Sequence, residues 1–154
     1  CWGSSPELEN LVFCSGSDGS IKAWDVRTKT AAHTLKVDNH IMDMELSEGL
    51  NRLTVSAGTK VSFFDLNTFS LSSDFAMPFH FKDEGGASLH PSGDRFIAGG
   101  SDLGVRVFSA TTGEELELHK GHHGPIRCLR YSLDGTSYAT GSEDGTIRLW
   151  KTDL

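Results

Sequence analysis

The chain alternates between apolar runs of strand length and short turns rich in glycine, aspartate and serine, and no segment shows helical periodicity. Four of the apolar runs share one pattern of a β-branched, a polar, an apolar and an aromatic residue, ending at Trp24, Phe64, Phe108 and Trp150. Successive side chains of a strand point to opposite faces, so both faces of these strands carry apolar groups, as in sheets covered on both sides. The pattern predicts an all-β fold of stacked sheets.

Fourteen strands follow from this pattern and from the turns between the runs. Asp18-Gly19 and Asp144-Gly145 are hairpin signals, because glycine accepts a positive φ without a Cβ clash. The predicted strands cover residues 11–15, 21–25, 30–35, 41–46, 53–56, 61–65, 71–75, 87–89, 96–98, 105–108, 116–118, 126–131, 138–140 and 147–150.

The four aromatic residues are separated by 40, 44 and 42 residues, which is the period of a four-stranded β-propeller blade. The chain is therefore predicted to hold about three and a half antiparallel blades. They form one partial domain over residues 1–154, with repeats at about 1–38, 39–78, 79–120 and 121–154. A propeller closes with roughly 4–8 blades, so we expect a larger ring of about seven. The remaining blades would come from the same chain or from a second chain.

The fourth repeat reads Gly121-His122, then Thr140, Asp144 and Trp150, and it resembles the consensus of the WD-repeat family. The resemblance implies a hydrogen-bonded chain in which the indole N–H donates to the hydroxyl, the hydroxyl to the imidazole and the imidazole to the carboxylate. Such a chain would rigidify the blade. The other repeats are degenerate, and their expected members of the same structural network are Ser15, Asp18, Trp24, His40, His80 and Asp102.

A set of histidine, hydroxyl and carboxylate is also typical of hydrolases, but here it recurs with the repeat and is followed by tryptophan. We therefore interpret it as structural and expect no catalytic residues and no enzyme activity. His119 and His123 are interpreted as loop residues beside His122 rather than as parts of a metal cluster. No glycine-rich segment carries the Gly-Lys-Ser/Thr of a phosphate-binding loop, so neither a metal nor a cofactor is expected.

The composition disfavours nucleic acid and membrane as partners. The formal net charge of -7 argues against nucleic-acid binding, which depends on clustered lysine and arginine. No apolar run is long enough to cross a membrane. No CxxC pair occurs, and Cys14 and Cys128 are predicted to be buried small hydrophobic residues. We expect proteins of a multi-subunit complex as partners, with no direct contact to nucleic acid or membrane. An enzyme or an RNA-binding propeller is the less favoured alternative.

Residues 87–102, 112–117, 120–131 and 141–150 resemble more narrowly the serine/threonine kinase receptor-associated family of WD-repeat proteins, also called the unr-interacting family. That resemblance implies a non-catalytic scaffold of the survival-of-motor-neuron complex, in cytoplasm and nucleus, with roles in spliceosomal particle assembly, mRNA processing and splicing, and signalling. The alternative is the WD-repeat subunit of translation initiation factor three, which carries a similar Gly-His-x-Gly-Pro-Ile segment. By analogy, partner contacts are expected near loop-to-strand junctions, at Asp43, Lys82, His123, Arg127 and Glu143.

Overall fold

The computed structural model describes residues 1–3, 5–47, 49–81 and 84–152. All regular structure in these residues is β-strand, which confirms the predicted all-β fold. No long apolar helix of the kind that crosses a membrane occurs in this part of the chain. The strands of the described residues are β1 (Leu11–Ser15), β2 (Ser20–Asp25), β3 (Thr30–Lys36), β4 (Ile41–Ser47), β5 (Arg52–Asp65), β6 (Ser70–Phe81), β7 (Gly86–Leu89), β8 (Arg95–Gly99), β9 (Gly104–Ser109), β10 (Glu115–Lys120), β11 (Ile126–Tyr131), β12 (Ser137–Ser142) and β13 (Ile147–Lys151).

The strands form antiparallel sheets in chain order, and each strand pairs with its neighbour in sequence. The first sheet contains β1 to β3, the second β4 to β6, the third β7 to β10 and the fourth β11 to β13. Residues ahead of β1 extend the first sheet, because Trp2 bridges Val12 and the Gly3 N–H donates to the Leu11 carbonyl at 2.9 Å. These sheets have the form of the predicted blades.

The second sheet differs from the prediction, because β5 runs without interruption through two predicted strands. The Leu66 N–H donates to the Asn51 carbonyl at 2.8 Å, so the two ends of β5 lie side by side. Gly58, with a φ of +60°, lies near its middle, where the strand turns back. β5 is therefore a tight hairpin. β6 also extends past the predicted residue 75, because Met77, Phe79 and Phe81 continue the buried alternation.

The sheets pack face to face, and the same pair of faces meets at each of the contacts between successive sheets. The face that carries the β-branched residue of one sheet lies against the aromatic face of the next. Ile21 of β2 shares a buried cluster with Phe64, Val61 shares one with Phe108, and Val105 shares one with the partly buried Trp150. This alternation explains why both faces of these strands are apolar.

The outer face of the fourth sheet is apolar and has no sheet against it in the part of the chain that the structure describes. On β13, Ile147 is 81% exposed and Leu149 is 80% exposed, although they occupy the positions that Ile21 and Ala23 fill in the buried core. Exposed β-branched and leucine side chains on a strand are the kind of surface that another sheet covers. The larger ring stays a prediction.

Substitution in the sheet-to-sheet core should destabilise the protein far more than the same change on its surface. Leu53 is fully buried, and we expect Leu53→Ala to lower the free energy of unfolding by about 2–5 kcal/mol, through lost burial and the cavity left behind. Leu133 is 89% exposed, and Leu133→Ala should change it by less than about 0.5 kcal/mol. Urea denaturation followed by circular dichroism measures both; equal losses would contradict the packing described.

Candidate functional site

The histidine network predicted in the fourth repeat spans three parts of one blade. Thr140 lies on β12 and Trp150 on β13, while Asp144 lies in the turn between them. His122 comes from the loop that precedes β11. Gly145, with a φ of +78°, allows the tight β12–β13 turn that aims the carboxylate of Asp144 back at this loop.

The four side chains form one continuous chain of hydrogen bonds. The Trp150 indole Nε1–H donates to Thr140 Oγ1 at 2.8 Å, and the Thr140 hydroxyl donates to His122 Nε2 at 2.8 Å. His122 Nδ1–H then donates to Asp144 Oδ2 at 3.1 Å, which sets the tautomer of the ring. His122 and Thr140 are buried, so solvent does not compete for these bonds.

Asp144 is also the anchor of the loop around it. Its carboxylate accepts bonds from the Thr146 hydroxyl at 2.6 Å, the Thr146 N–H at 2.9 Å and the His123 N–H at 2.8 Å. The Thr146 hydroxyl and the His123 amide hold the pKa of Asp144 well below its ordinary value, because they stabilise the ionised form. The carboxylate thereby joins the β12–β13 turn to the loop before β11.

Thr146 is a network residue that the sequence reasoning missed. The signal was present as an Asp-Gly-Thr or Asp-Gly-Ser triplet, which occurs at Asp18, Asp134 and Asp144. In each triplet the hydroxyl donates to the aspartate two residues earlier, as Ser20 does to Asp18 at 2.6 Å. The Ser20 hydroxyl lowers the pKa of Asp18 in this way. The pKa of Asp134 is lowered mainly by the Ser132 hydroxyl, with the Thr136 amide and hydroxyl adding to the effect.

The geometry of the network does not present a nucleophile. The Thr140 oxygen is buried and already engaged by Trp150 and His122, so no substrate carbonyl can reach it from solvent. Within the described ranges, no group of three or more histidine, cysteine, aspartate or glutamate side chains is arranged to hold a metal ion. The arrangement stabilises the blade.

The first repeat lacks this network, and the predictions for Ser15 and Trp24 are wrong. Thr140 lies opposite Arg148, two residues before the tryptophan, and the corresponding residue opposite Lys22 is Cys14. Ser15 therefore lies on the other face of β1 from the one that Trp24 shares. Trp24 is 39% exposed, and its indole N–H has no hydrogen-bond partner among the described residues. Asp18 bonds Ser20 instead.

The predictions for His40 and His80 are wrong as well, since both side chains are exposed. His40 directly precedes β4. His80 alternates along β6 with Phe79 and Phe81, and because those two are buried, His80 faces solvent.

In the third repeat, Asp102 forms an ion pair in place of the expected bond to histidine. Its carboxylate lies 2.7 Å from Arg106 Nη2, and Arg106 also contacts Glu115 at 2.7 Å. The Arg106 guanidinium lies 6.0 Å from the centre of the Phe79 ring. Packing and charge thus replace the histidine network in this blade.

The prediction that Cys14 and Cys128 are buried is wrong. Cys1, Cys14 and Cys128 are all exposed and none forms a disulfide. Cys14 shares the exposed face of the first sheet with Lys22 and Trp24, because no described sheet covers that face. Cys128 lies on β11, the first strand of its sheet.

The predicted partner-binding residues fall into two charged groups. Arg127 forms an ion pair with Glu143 and lies 3.5 Å from Glu84, so these loops carry one exposed charge cluster beside His123. Asp43 is not part of this cluster. It lies on β4 and binds Arg130 with contacts of 2.6 and 2.7 Å. Lys82 lies outside the described residues. The partner-binding role of these residues stays a prediction.

Comparison of the sequence with known protein families agrees with this architecture. The family model of the WD domain, G-beta repeat, matches residues 113–151, which contain Thr140, Asp144 and Trp150. Taken with the stacked antiparallel sheets and the histidine network, this match defines a WD-repeat protein. The chain belongs to the WD-repeat family.

The predicted resemblance to the receptor-associated proteins is also confirmed. The chain is 47% identical over 131 residues to the serine-threonine kinase receptor-associated protein of Dictyostelium discoideum, covering 85% of the chain and 43% of the relative. It is 36% identical over 144 residues to the protein of that name in Homo sapiens, covering 94% of the chain and 40% of the relative. Eukaryotic translation initiation factor 3 subunit I of Bombyx mori is 31% identical over 168 residues, covering 99% and 49%. The chain spans less than half the length of these relatives.

Removal of the indole N–H should weaken the fourth blade. We expect Trp150→Phe to lower the free energy of unfolding by about 1–2 kcal/mol, because the buried Thr140 hydroxyl loses its donor. Trp24→Phe is the matched control and should cost less than about 0.5 kcal/mol, because the Trp24 indole makes no hydrogen bond within the described residues. Urea denaturation compares the two, and equal effects would show that the bond contributes nothing.

The carboxylate of Asp144 should make stability depend on acid pH. Because its pKa is depressed in the folded state, its contribution is present above the unfolded-state pKa near ~3.9 and is lost as the pH falls through the folded-state value. Asp144→Asn should therefore lower stability at neutral pH and flatten its decline between about pH 5 and pH 2. Urea titrations at several pH values measure this; a slope unchanged from that of the unmodified protein would contradict it. Asp38→Asn, in an exposed loop, serves as control.

Proposed function

We propose that this chain is a non-catalytic scaffold that holds other proteins together in a multi-subunit complex. The observation that carries the proposal is the buried histidine network, in which the polar atoms of His122, Thr140 and Trp150 bind one another. Because the hydrogen bonds of this network are used up within the blade, partner proteins would bind at the exposed loops and sheet edges. Loops held on a rigid scaffold are the usual site of binding in such folds.

The finer proposal follows the more similar of the two groups of relatives. We propose a role in the survival-of-motor-neuron complex, in spliceosomal particle assembly, mRNA processing and signalling, in cytoplasm and nucleus. It draws support from the 47% and 36% identity to proteins named as receptor-associated. A role in translation initiation is the second candidate, supported by the 31% identity to subunit I of initiation factor 3.

The proposal includes a closed β-propeller ring of which these sheets are one part. We propose that further blades, from the same chain or from a second chain, cover the apolar face of β13 that carries Ile147 and Leu149. Closure of this kind removes exposed sheet faces.

Affinity purification of the complete protein from its own cells, with mass spectrometry of what is recovered, tests the proposal. Recovery of survival-of-motor-neuron and Sm proteins would support the first candidate. Recovery of initiation-factor subunits and the small ribosomal subunit would favour the second. If no protein were enriched over an untagged control, the scaffold proposal would be wrong.

Charge reversal in the exposed loop cluster should reduce partner recovery without unfolding the protein. Arg127→Glu breaks the pair with Glu143 and places repelling carboxylates together, so we expect at least roughly a fivefold loss of recovered partner, on the order of 1 kcal/mol. Arg27→Glu is the matched control, because Arg27 is also exposed and also pairs with a carboxylate, that of Asp25. Quantitative mass spectrometry and a thermal melt measure both variants. Equal recovery from both would exclude this cluster as a contact site.

A further inference from the structure

The first strands of three sheets, β4, β7 and β11, meet at a shared polar junction. The Ser88 hydroxyl of β7 donates to Glu45 Oε1 of β4 at 3.1 Å and accepts the Tyr131 N–H of β11 at 3.0 Å. Arg130 of β11 reaches across to β4, where its Nε lies 3.4 Å from Glu45 Oε1. This junction forms one wall of a cavity.

The cavity has a volume of about 320 Å³ and a lining of two kinds. Glu45 and Ser47 provide polar groups from β4 and its end, while Leu46, Leu89, Pro91 and Leu133 provide apolar surface. The Leu133 side chain is almost fully exposed, so the cavity is open at that side. A polar end and an apolar wall suit a ligand that is itself charged at one end and apolar along its length.

Within the described part of the chain, three residues that line this cavity carry a buried polar atom with no hydrogen-bond partner: Glu45, Ser47 and Tyr131. Glu45 Oε2 and Ser47 Oγ are buried, and neither makes a hydrogen bond within the described part of the chain. An unpaired buried carboxylate oxygen costs more free energy than a neutral group in the same position. Since an ionised carboxylate only accepts, the group that satisfies Glu45 Oε2 must be a donor.

The charges around the cavity leave a negative balance. Arg130 binds Asp43 through two contacts, of 2.6 and 2.7 Å, and its approach to Glu45 is longer. One guanidinium therefore faces two carboxylates. The junction can accept one further positive charge at the free oxygen of Glu45.

We infer that this cavity binds the cationic end of an arginine or lysine side chain presented by a partner protein. On binding, the Glu45 and Ser47 side chains turn toward the cavity, because both oxygens are buried in the free protein. The guanidinium or ammonium then donates to Glu45 Oε2 and to Ser47 Oγ, and the methylene stem lies along Leu89, Pro91 and Leu133. The inference rests on the proposed scaffold function only in assigning the cation to a partner protein. The cavity itself can be tested with a small molecule.

Binding of a cation at Glu45 should strengthen as the pH rises. Burial raises the pKa of Glu45, and Arg130 and the Ser88 hydroxyl oppose that rise. Of the remaining groups around it, Asp43 raises the pKa and the Leu89 backbone amide lowers it. Only the ionised carboxylate attracts the ligand, so affinity increases as the pH passes upward through the pKa of Glu45 in the free protein.

The probe is n-butylguanidinium, which has the charge and stem of arginine, with n-butylurea as its neutral analogue. Titration of the complete protein, followed by NMR shifts of its amides, gives the dissociation constant of each. We expect Glu45→Gln to weaken n-butylguanidinium binding at least tenfold and n-butylurea to bind far more weakly than the cation. Glu7→Gln removes an exposed carboxylate elsewhere and should leave binding unchanged.

The same titration also covers a Glu45→Gln variant that fails to fold, and it can overturn the inference. If Glu45→Gln fails to fold, Ser47→Ala and the pH dependence of the unmodified protein replace it, with weaker binding expected in the first and tighter binding at higher pH in the second. Equal binding of the cation and the urea, or no binding of either, would overturn the inference. If the probe binds but Glu45→Gln recovers every partner from cells, the assignment to a partner protein is wrong while the scaffold stands.

Discussion

The whole structure depends on burying both faces of each sheet. A strand that ends in Ile21-Lys22-Ala23-Trp24, or in its counterparts, carries apolar groups on both faces, and a lone sheet of this kind would leave both in water. Stacking solves this by laying the β-branched face of one sheet on the aromatic face of the next. Successive sheets along the chain pack on one another in this way, and among the described residues the face of β13 that carries Ile147 and Leu149 is left uncovered.

Hydrogen bonding comes second to packing and differs from blade to blade. In the fourth sheet, Trp150 stacks on Tyr138 and also donates to Thr140, so its ring serves both packing and polar contact. The third sheet has Phe96 stacked on Phe108 at corresponding positions, with centroids 5.2 Å apart, and Ala98 where the hydroxyl would be. A buried hydroxyl without its partners would be costly there, so alanine and phenylalanine form a consistent set.

The first strands of the sheets are chemically different from the outer ones. β4 and β11 carry charged residues that pair across β7, and the free carboxylate oxygen of Glu45 remains after Arg130 is engaged by Asp43. Outer strands such as β10 carry mostly exposed residues. Charged and polar side chains are thus concentrated at the loops and at the junction of first strands, while the stacked faces hold the fold together.

The sequence by itself determined the all-β class, the blade period and nearly every strand, because these follow from local periodicity and from turns such as Asp144-Gly145. The network of the fourth repeat was also readable, since its spacing is that of the family. Sheet register decided the rest: Cys14 rather than Ser15 lies opposite Lys22, and His80 faces solvent between two buried phenylalanines. A one-residue shift along a strand moves a side chain to the other face, and only packing against the neighbouring sheet fixes which face is buried. The junction of Glu45, Ser88 and Arg130 joins residues far apart in the chain, so only the tertiary structure could bring them together.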